Sequence, residues 1–180
     1  MSADGGTAQP ATSGTQGEND PTWSPDGKSL AFSTADPAMA IHVLDVSSHA
    51  IQTLPGSDGL FAPRWSPDGS FIVAQPLDQE KLILFNTRNQ KWTGLVDLPA
   101  SYYQWSHDSK FVYFDVSSAD EPVIYRVRLA DRKLERVVSL KGQRRTGSIG
   151  NWMGLTPDDS PLLLLDVGIQ EVYALDWEAP

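Results

Sequence analysis

The sequence Trp-Ser-Pro-Asp-Gly stands at Trp23 to Gly27 and returns unchanged at Trp65 to Gly69. Two altered copies follow, Trp-Ser-His-Asp-Ser from Trp105 and Leu-Thr-Pro-Asp-Asp from Leu155. The four aspartates of these copies stand 42, 40 and 50 residues apart, at Asp26, Asp68, Asp108 and Asp158. A period near 40 with short apolar runs between turns is typical of the four-stranded blades of a β-propeller. The sequence therefore predicts an all-β fold of about four propeller blades, each made of four antiparallel strands.

The repeated motif has the chemistry of a tight turn. Ser, Pro and Gly occupy the positions that a type I turn followed by a left-handed residue prefers. Gly27 and Gly69 take the left-handed position at little cost, Asp159 tolerates it, and Ser109 does so less readily. A turn is needed in every blade but a catalytic acid only once. We therefore interpret the four aspartates as structural turn residues and not as metal ligands or catalysts.

Reading outward from the turns divides the chain into blades 21–57, 58–99, 100–141 and 142–180. The last blade lacks an outer strand. Residues 1–20 are predicted to be the tail or outer strand of a preceding blade, because Ala8-Gln9 aligns with Ile51-Gln52, with a disordered segment as the alternative. Two architectures follow: a closed four-bladed ring, or a section of a larger propeller that self-associates through its exposed end faces.

Composition narrows the classes of function. The chain has no cysteine, no run of apolar residues that would span a membrane, and no secretory signal at its start, so insertion into a membrane is not expected. The net charge of −9 argues against nucleic-acid binding. Between residues 126 and 145 the balance is instead +6, which predicts either a solvated outer hairpin or a docking patch for an acidic partner. The basic residues of this segment are Arg126, Arg128, Arg132, Lys133, Arg136, Lys141, Arg144 and Arg145.

With the repeats laid out, the chain resembles the TolB-type β-propeller repeats, bacterial relatives of the WD-repeat propellers. The resemblance rests on Pro21 to Phe32, on Pro63 to Val73, and on third strands that end in aspartate, such as Ile41 to Asp45. The segment from Asn151 to Trp177 also resembles the closing blade of bacterial proteins that carry such a propeller behind a winged-helix or serine/threonine kinase domain. The resemblance implies a part in signal transduction or scaffolding, and a periplasmic location if the parent protein is tethered to a membrane. If the parent protein is not tethered to a membrane, a cytoplasmic location is expected. The sequence itself does not decide the compartment.

A search for chemistry finds no nucleophile elbow, no phosphate-binding loop and no metal-ligand spacing among the three histidines. We therefore expect no catalytic residue, no metal and no cofactor. The best candidate surface is the channel mouth, where the first strand of each blade begins. Its candidate binding residues are Asp20, Phe61, Arg64, Tyr102, Tyr103 and Trp152. The alternative for these side chains is packing between blades. Trp23, Trp65 and Trp105 repeat in register and are predicted to be core residues.

The sequence thus favours a non-catalytic binding module for a protein or peptide, within a larger bacterial regulatory protein. The alternative is the accessory propeller of a peptidase-type hydrolase whose catalytic domain is not in this chain.

Overall fold

The computed structural model describes residues 5–12, 14, 17–35, 39–117, 121–144 and 152–168, and these form β-strands connected by turns. Three four-stranded antiparallel sheets follow one another along the chain, each with its strands in sequential order. Blade 1 contains β1 (Asn19–Trp23), β2 (Ser29–Thr34), β3 (Ala40–Asp45) and β4 (Ile51–Thr53). Blade 2 contains β5 (Leu60–Trp65), β6 (Phe71–Pro76), β7 (Leu82–Asn86) and β8 (Lys91–Val96). Blade 3 contains β9 (Ser101–Trp105), β10 (Phe111–Val116), β11 (Val123–Arg128) and β12 (Leu134–Ser139). The predicted all-β blade architecture is confirmed.

Blade 4 is described only in its inner half, as a hairpin of β13 (Met153–Leu155) and β14 (Pro161–Leu163). The third strand predicted at residues 171–177 lies outside the described residues. At the other end of the chain, residues 6–12 form no strand, so the outer strand expected at residues 8–12 is not present in the described structure. Pro10 in this segment lacks the N–H that a sheet ladder requires.

The turn motif is held by the same side-chain hydrogen bonds in each blade. In blade 2 the Ser66 hydroxyl donates to the Asp68 carboxylate at 2.6 Å and accepts from Phe71 N at 2.9 Å, while Asp68 also accepts from Ser70 N at 3.0 Å. Blades 1 and 3 repeat this pattern around Asp26 and Asp108. In blade 4 the Thr156 hydroxyl takes the place of serine and donates to Asp158. All four aspartates therefore lie where the turn interpretation puts them.

The fifth residue of every motif copy has the expected left-handed conformation, with φ of 69° at Gly27, 75° at Gly69, 60° at Ser109 and 61° at Asp159. The two non-glycine residues at this position also bond to the preceding blade. Asp68 N donates to the Ser109 hydroxyl at 3.1 Å, and His107 N donates to the Asp159 carboxylate at 3.0 Å. Their side chains thus connect neighbouring turns.

Each blade presents to the preceding blade a row of four side chains, one from each strand, which we call its leading row. Strand register defines the rows as Trp23, Leu30, Leu44 and Ile51 in blade 1, Trp65, Ile72, Phe85 and Trp92 in blade 2, and Trp105, Val112, Val127 and Leu134 in blade 3. The blade 2 row packs against Ala31, Val43 and Leu54 of blade 1. The blade 3 row packs against Val73 and Leu84 of blade 2 through its first three members.

Burial of the motif tryptophans follows the position of their blade. Trp105 is 8% exposed, Trp65 is half-buried, and Trp23 is 56% exposed. The prediction that all three are core residues is therefore wrong for Trp23. The physical reason is that the tryptophan at the end of a leading row becomes core only when another blade covers it, and no described residue covers the indole of Trp23 in this way.

This difference gives a matched pair of substitutions. We expect Trp105→Ala to lower the free energy of unfolding by about 3 to 5 kcal/mol, because it opens a cavity between two blades and removes the bond from the indole to Arg64 O. Trp23→Ala is expected to cost less than about 1 kcal/mol in dilute solution. Urea unfolding of both variants measures the two values, and equal losses would contradict the leading-row assignment.

The turn of blade 3 also predicts a dependence of stability on pH. Hydrogen bonds from the Lys110 side chain, from Lys110 N and from the Ser106 hydroxyl lower the pKa of Asp108 from 3.8 to about 2. Because the folded state has the lower pKa, this stabilisation is complete above pH 3.8 and is lost as pH falls through about 2. Asp108→Asn should therefore lower the urea midpoint at pH 5, and the difference from the native chain should shrink on acidification, with a pH-independent difference as the contrary result.

Candidate functional site at the mouth of the blades

The inner strands of blades 1 to 3 share an irregularity at the end of the sheets where these strands begin. Asp20, Ala62 and Tyr102 each stand three residues before the motif tryptophan and have positive φ angles of 51°, 51° and 46°. The pairing register of each inner strand with its neighbour shifts at this point. A bulge of this kind interrupts the ladder and turns nearby side chains away from the regular pleat. The bulges therefore shape the channel mouth.

A cavity of about 370 Å³ lies at this mouth. It is lined by Asp20, Phe61, Ala62, Arg64, Gln75, Gln79, Ala100, Ser101, Tyr102, Tyr103 and Ser117. Five of the six binding residues proposed from the sequence are thus brought together in one cavity that spans the three complete blades. The sixth, Trp152, does not line the cavity; it is 47% exposed and its ring lies close against Gly154.

Tyr103 forms the buried wall of the cavity. It is 3% exposed, and its hydroxyl donates to the carbonyl oxygen of Ala62 at 2.5 Å. Burial raises the pKa of the Tyr103 hydroxyl far above its usual range, so it stays protonated and acts as a donor. This residue therefore joins blade 3 to blade 2, in line with the alternative reading of packing between blades. Tyr102, by contrast, is 40% exposed.

Arg64 lies between Asp20 and Tyr103. Its Nη1 donates to the carbonyl oxygen of Pro63 at 2.8 Å, and Nη2 stands 3.7 Å from the Asp20 carboxylate. The guanidinium carbon is 6.0 Å from the centre of the Tyr103 ring. The long contact to Asp20 and a side chain that is still 29% exposed leave donor capacity at the mouth.

Gln75 is the functional candidate that sequence reasoning missed. It ends the apolar run of β6, is 4% exposed, and lines the cavity, yet its carboxamide forms no hydrogen bond with any described residue. Because the side chain lines the cavity, its amide is open to water in the free protein and to a ligand that enters the cavity. The sequence did contain one signal that could have identified Gln75. A polar residue stands at the equivalent position in the second strand of the other two complete blades, namely Ser33 in β2 and Asp115 in β10, and both are buried.

The basic segment lies on the β11–β12 hairpin, and its charges are largely engaged. Glu135 accepts hydrogen bonds from Arg126 at 2.8 Å and from Arg128 at 2.7 Å, with Lys133 3.7 Å away. The bond from Arg126 is the main cause that lowers the pKa of Glu135. Arg136 pairs with Glu121 at 2.5 Å.

The other members of the basic segment lie outside the two strands. Arg132 takes a turn position with φ of 60°, and Arg144 donates to the carbonyl oxygen of Gly168. Arg145 lies outside the described residues. The many internal ion pairs favour the solvated outer hairpin over a docking patch.

Two further features bear on the class of site. Among the described residues no cluster of three or more histidine, aspartate or glutamate side chains is arranged to hold a metal ion. The described part of the chain also contains no helix of the length and apolar character needed to cross a membrane.

No protein-family model and no curated protein matches the sequence. Solved structures match the fold. TolB from Acinetobacter baumannii aligns with a TM-score of 0.65 at 16% identity, over 79% of this chain and 36% of that chain. A putative TolB from Agrobacterium tumefaciens aligns with a TM-score of 0.61 at 21% identity, over 79% of this chain and 56% of that one.

The β-propeller domain of the Trilobed protease from Pyrococcus furiosus, described as having an open velcro topology, gives a TM-score of 0.53 at 14% identity. That match covers 69% of this chain and 42% of the other. Identities this low show the fold alone, which is a TolB-like propeller fold. The chain spans 36% and 56% of the length of the two TolB structures.

The two neighbouring tyrosines offer a direct test of the mouth geometry. Tyr103→Phe removes the donor to Ala62 O and leaves that buried carbonyl without its partner, so we expect a loss of about 1 to 3 kcal/mol in the free energy of unfolding. Tyr102→Phe at the exposed neighbour should stay within about 0.5 kcal/mol of the native chain. Urea denaturation distinguishes them, and a neutral Tyr103→Phe would contradict the buried hydrogen bond.

Proposed function

We propose that this chain is a non-catalytic propeller binding module that recognises a protein or peptide ligand at the mouth cavity. The observation that carries the proposal is the position of Gln75, a largely buried residue that lines the cavity and whose carboxamide has no hydrogen-bond partner among the described residues. A ligand that enters the cavity can hydrogen-bond to this amide in place of water, and this gives the site a source of specificity that a purely structural cavity does not need.

The chemistry of the lining suits a peptide. A cavity of about 370 Å³ accepts a ligand segment of a few residues. The Gln75 amide offers both a donor and an acceptor, which is the complement of a peptide group. Tyr102 and Phe61 supply apolar surface, and Arg64 supplies charged donors at the rim. A small set of polar groups among aromatic side chains is typical of recognition surfaces.

The second part of the proposal is that this chain is a region of a larger bacterial regulatory protein. It rests on the resemblance of the closing segment from Asn151 to the propellers of winged-helix regulators and kinases. The TolB-like fold is compatible with that setting, and so is the coverage of only part of each TolB chain.

A selection experiment tests the site. A phage-displayed library of random peptides is panned on the native chain, and the enriched peptides are measured against variants by fluorescence polarisation. Gln75→Leu keeps the volume of the side chain and removes its polar atoms, so binding should weaken about tenfold or more. Tyr102→Ala is expected to weaken it similarly.

The matched control is Leu77→Ala, since Leu77 is 59% exposed on the connection that follows β6 and does not line the cavity. This variant should bind as the native chain does. Enriched peptides that bind all three variants equally would place recognition elsewhere, and failure to enrich any peptide would count against a peptide ligand.

A further inference from the structure

The leading row of blade 1 differs from the equivalent row of blade 2 at its two ends, which are exposed, whereas in its middle Leu30 is half-buried and Leu44 is 1% exposed. Trp23 is 56% exposed and Ile51 is 48% exposed at the two ends of the row. The corresponding ends of the blade 2 row, Trp65 and Trp92, are half-buried against blade 1. The two end positions that act as an interface in blade 2 are therefore open to solvent in blade 1.

The surface that receives a leading row can also be identified by register. Ala31 on β2 receives the row of blade 2, and Val73 on β6 receives the row of blade 3; both are fully buried. Each is paired with the residue just before the motif tryptophan of its own blade, Thr22 or Arg64.

In blade 4 the motif copy begins at Leu155, and the residue just before it, Gly154, is paired with Leu162. Leu162 is therefore the equivalent of Ala31 and Val73, but it is 48% exposed. Leu164, two residues further on the same side, is 49% exposed. Blade 4 therefore presents an apolar receiving surface that no described residue fills.

A cavity of about 220 Å³ opens on the same face of blade 1 as the exposed row. It is lined by Ala11, Thr12, Glu18, Asn19, Pro21, Leu30, Phe32 and Leu44. Residues 11 and 12 thus border only the part of the face near Phe32 and Leu44, and the Trp23 end stays uncovered. The cavity adds a recess beside the row into which an apolar side chain fits.

We propose that a second copy of this chain covers the open row, with blade 1 of one copy docked on blade 4 of the other. A second copy is the fitting occupant because it carries the exposed receiving residue, Leu162, at the position that receives a leading row inside the chain. The contact joins two different surfaces and so is head-to-tail. Two copies together supply about eight blades, within the usual range for propellers, so two such contacts close a ring. The inference is independent of the ligand proposed for the mouth.

Sedimentation velocity on the full chain, over a range of concentrations, tests the proposal. The native chain should dimerise, and Trp23→Glu and Leu162→Glu should each raise the dimer dissociation constant more than about tenfold, since a carboxylate is then buried at the contact. Ile51→Glu is a second variant of the leading row and should act in the same way. Leu77→Glu, at an exposed leucine outside both surfaces, is the matched control and should dimerise as the native chain does.

Mixing the two defective variants separates this contact from other modes of association. The Trp23→Glu copy keeps its receiving surface and the Leu162→Glu copy keeps its leading row, so an equimolar mixture should restore one contact and form a heterodimer. A mixture that stays monomeric would overturn the head-to-tail contact. Dimers of either single variant that are as strong as the native dimer would overturn the assigned surfaces. A native chain that is monomeric at about 0.1 mM would overturn the second copy as the occupant.

Discussion

The packing of one tryptophan against the blade before it holds blades 2 and 3 together. The indole of Trp105 lies among Val73, Leu84 and Val112, and its Nε1 donates to the carbonyl oxygen of Arg64 at 2.9 Å. One side chain thus supplies apolar area and also a hydrogen bond to an irregular stretch of the neighbouring inner strand. In blade 2 the indole of Trp65 instead donates to the carbonyl oxygen of Gly69 at 3.4 Å, and it is the backbone N–H of Trp65 that donates to the Thr22 hydroxyl of blade 1 at 3.3 Å.

The mouth cavity lies beside this contact between blades 2 and 3, and its lining includes Arg64 and Tyr103. A bulge lies three residues before each motif tryptophan, at Asp20, Ala62 and Tyr102. At these positions the inner strands depart from the regular hydrogen-bonding ladder. Beside the bulges of blades 2 and 3, the packing of Trp65 and Trp105 against the preceding blade holds the cavity lining in place. Most of the side chains that line the candidate binding site therefore stand on strands that pack in the core, and such strands position side chains more precisely than loops do.

Much of the fold was accessible from the sequence because turn chemistry and alternation repeat four times. The bounds of β2 and β10 follow directly from the residues between the motif and the next polar cluster. Trp23 shows the limit of that reasoning, since burial of a leading row depends on a neighbour and not on the row itself. The bulges were not visible either, because Asp20, Ala62 and Tyr102 share a backbone conformation but no side-chain chemistry. Gln75 escaped notice because one polar residue at the end of an apolar strand looks like a strand terminus.

The turns of blades 3 and 4 are linked by a residue that departs from the consensus of the repeat. Position three of the motif is proline in blades 1 and 2 and has no N–H, whereas His107 provides one, and the Asp159 carboxylate accepts it at 3.0 Å. The His107 ring adds a second contact from Nδ1 to the same oxygen at 2.6 Å. The residue that makes the third copy look degenerate is thus the one that ties it to the fourth. Averaging the repeats toward their consensus, with proline at 107, would erase this tie while making the sequence look more regular.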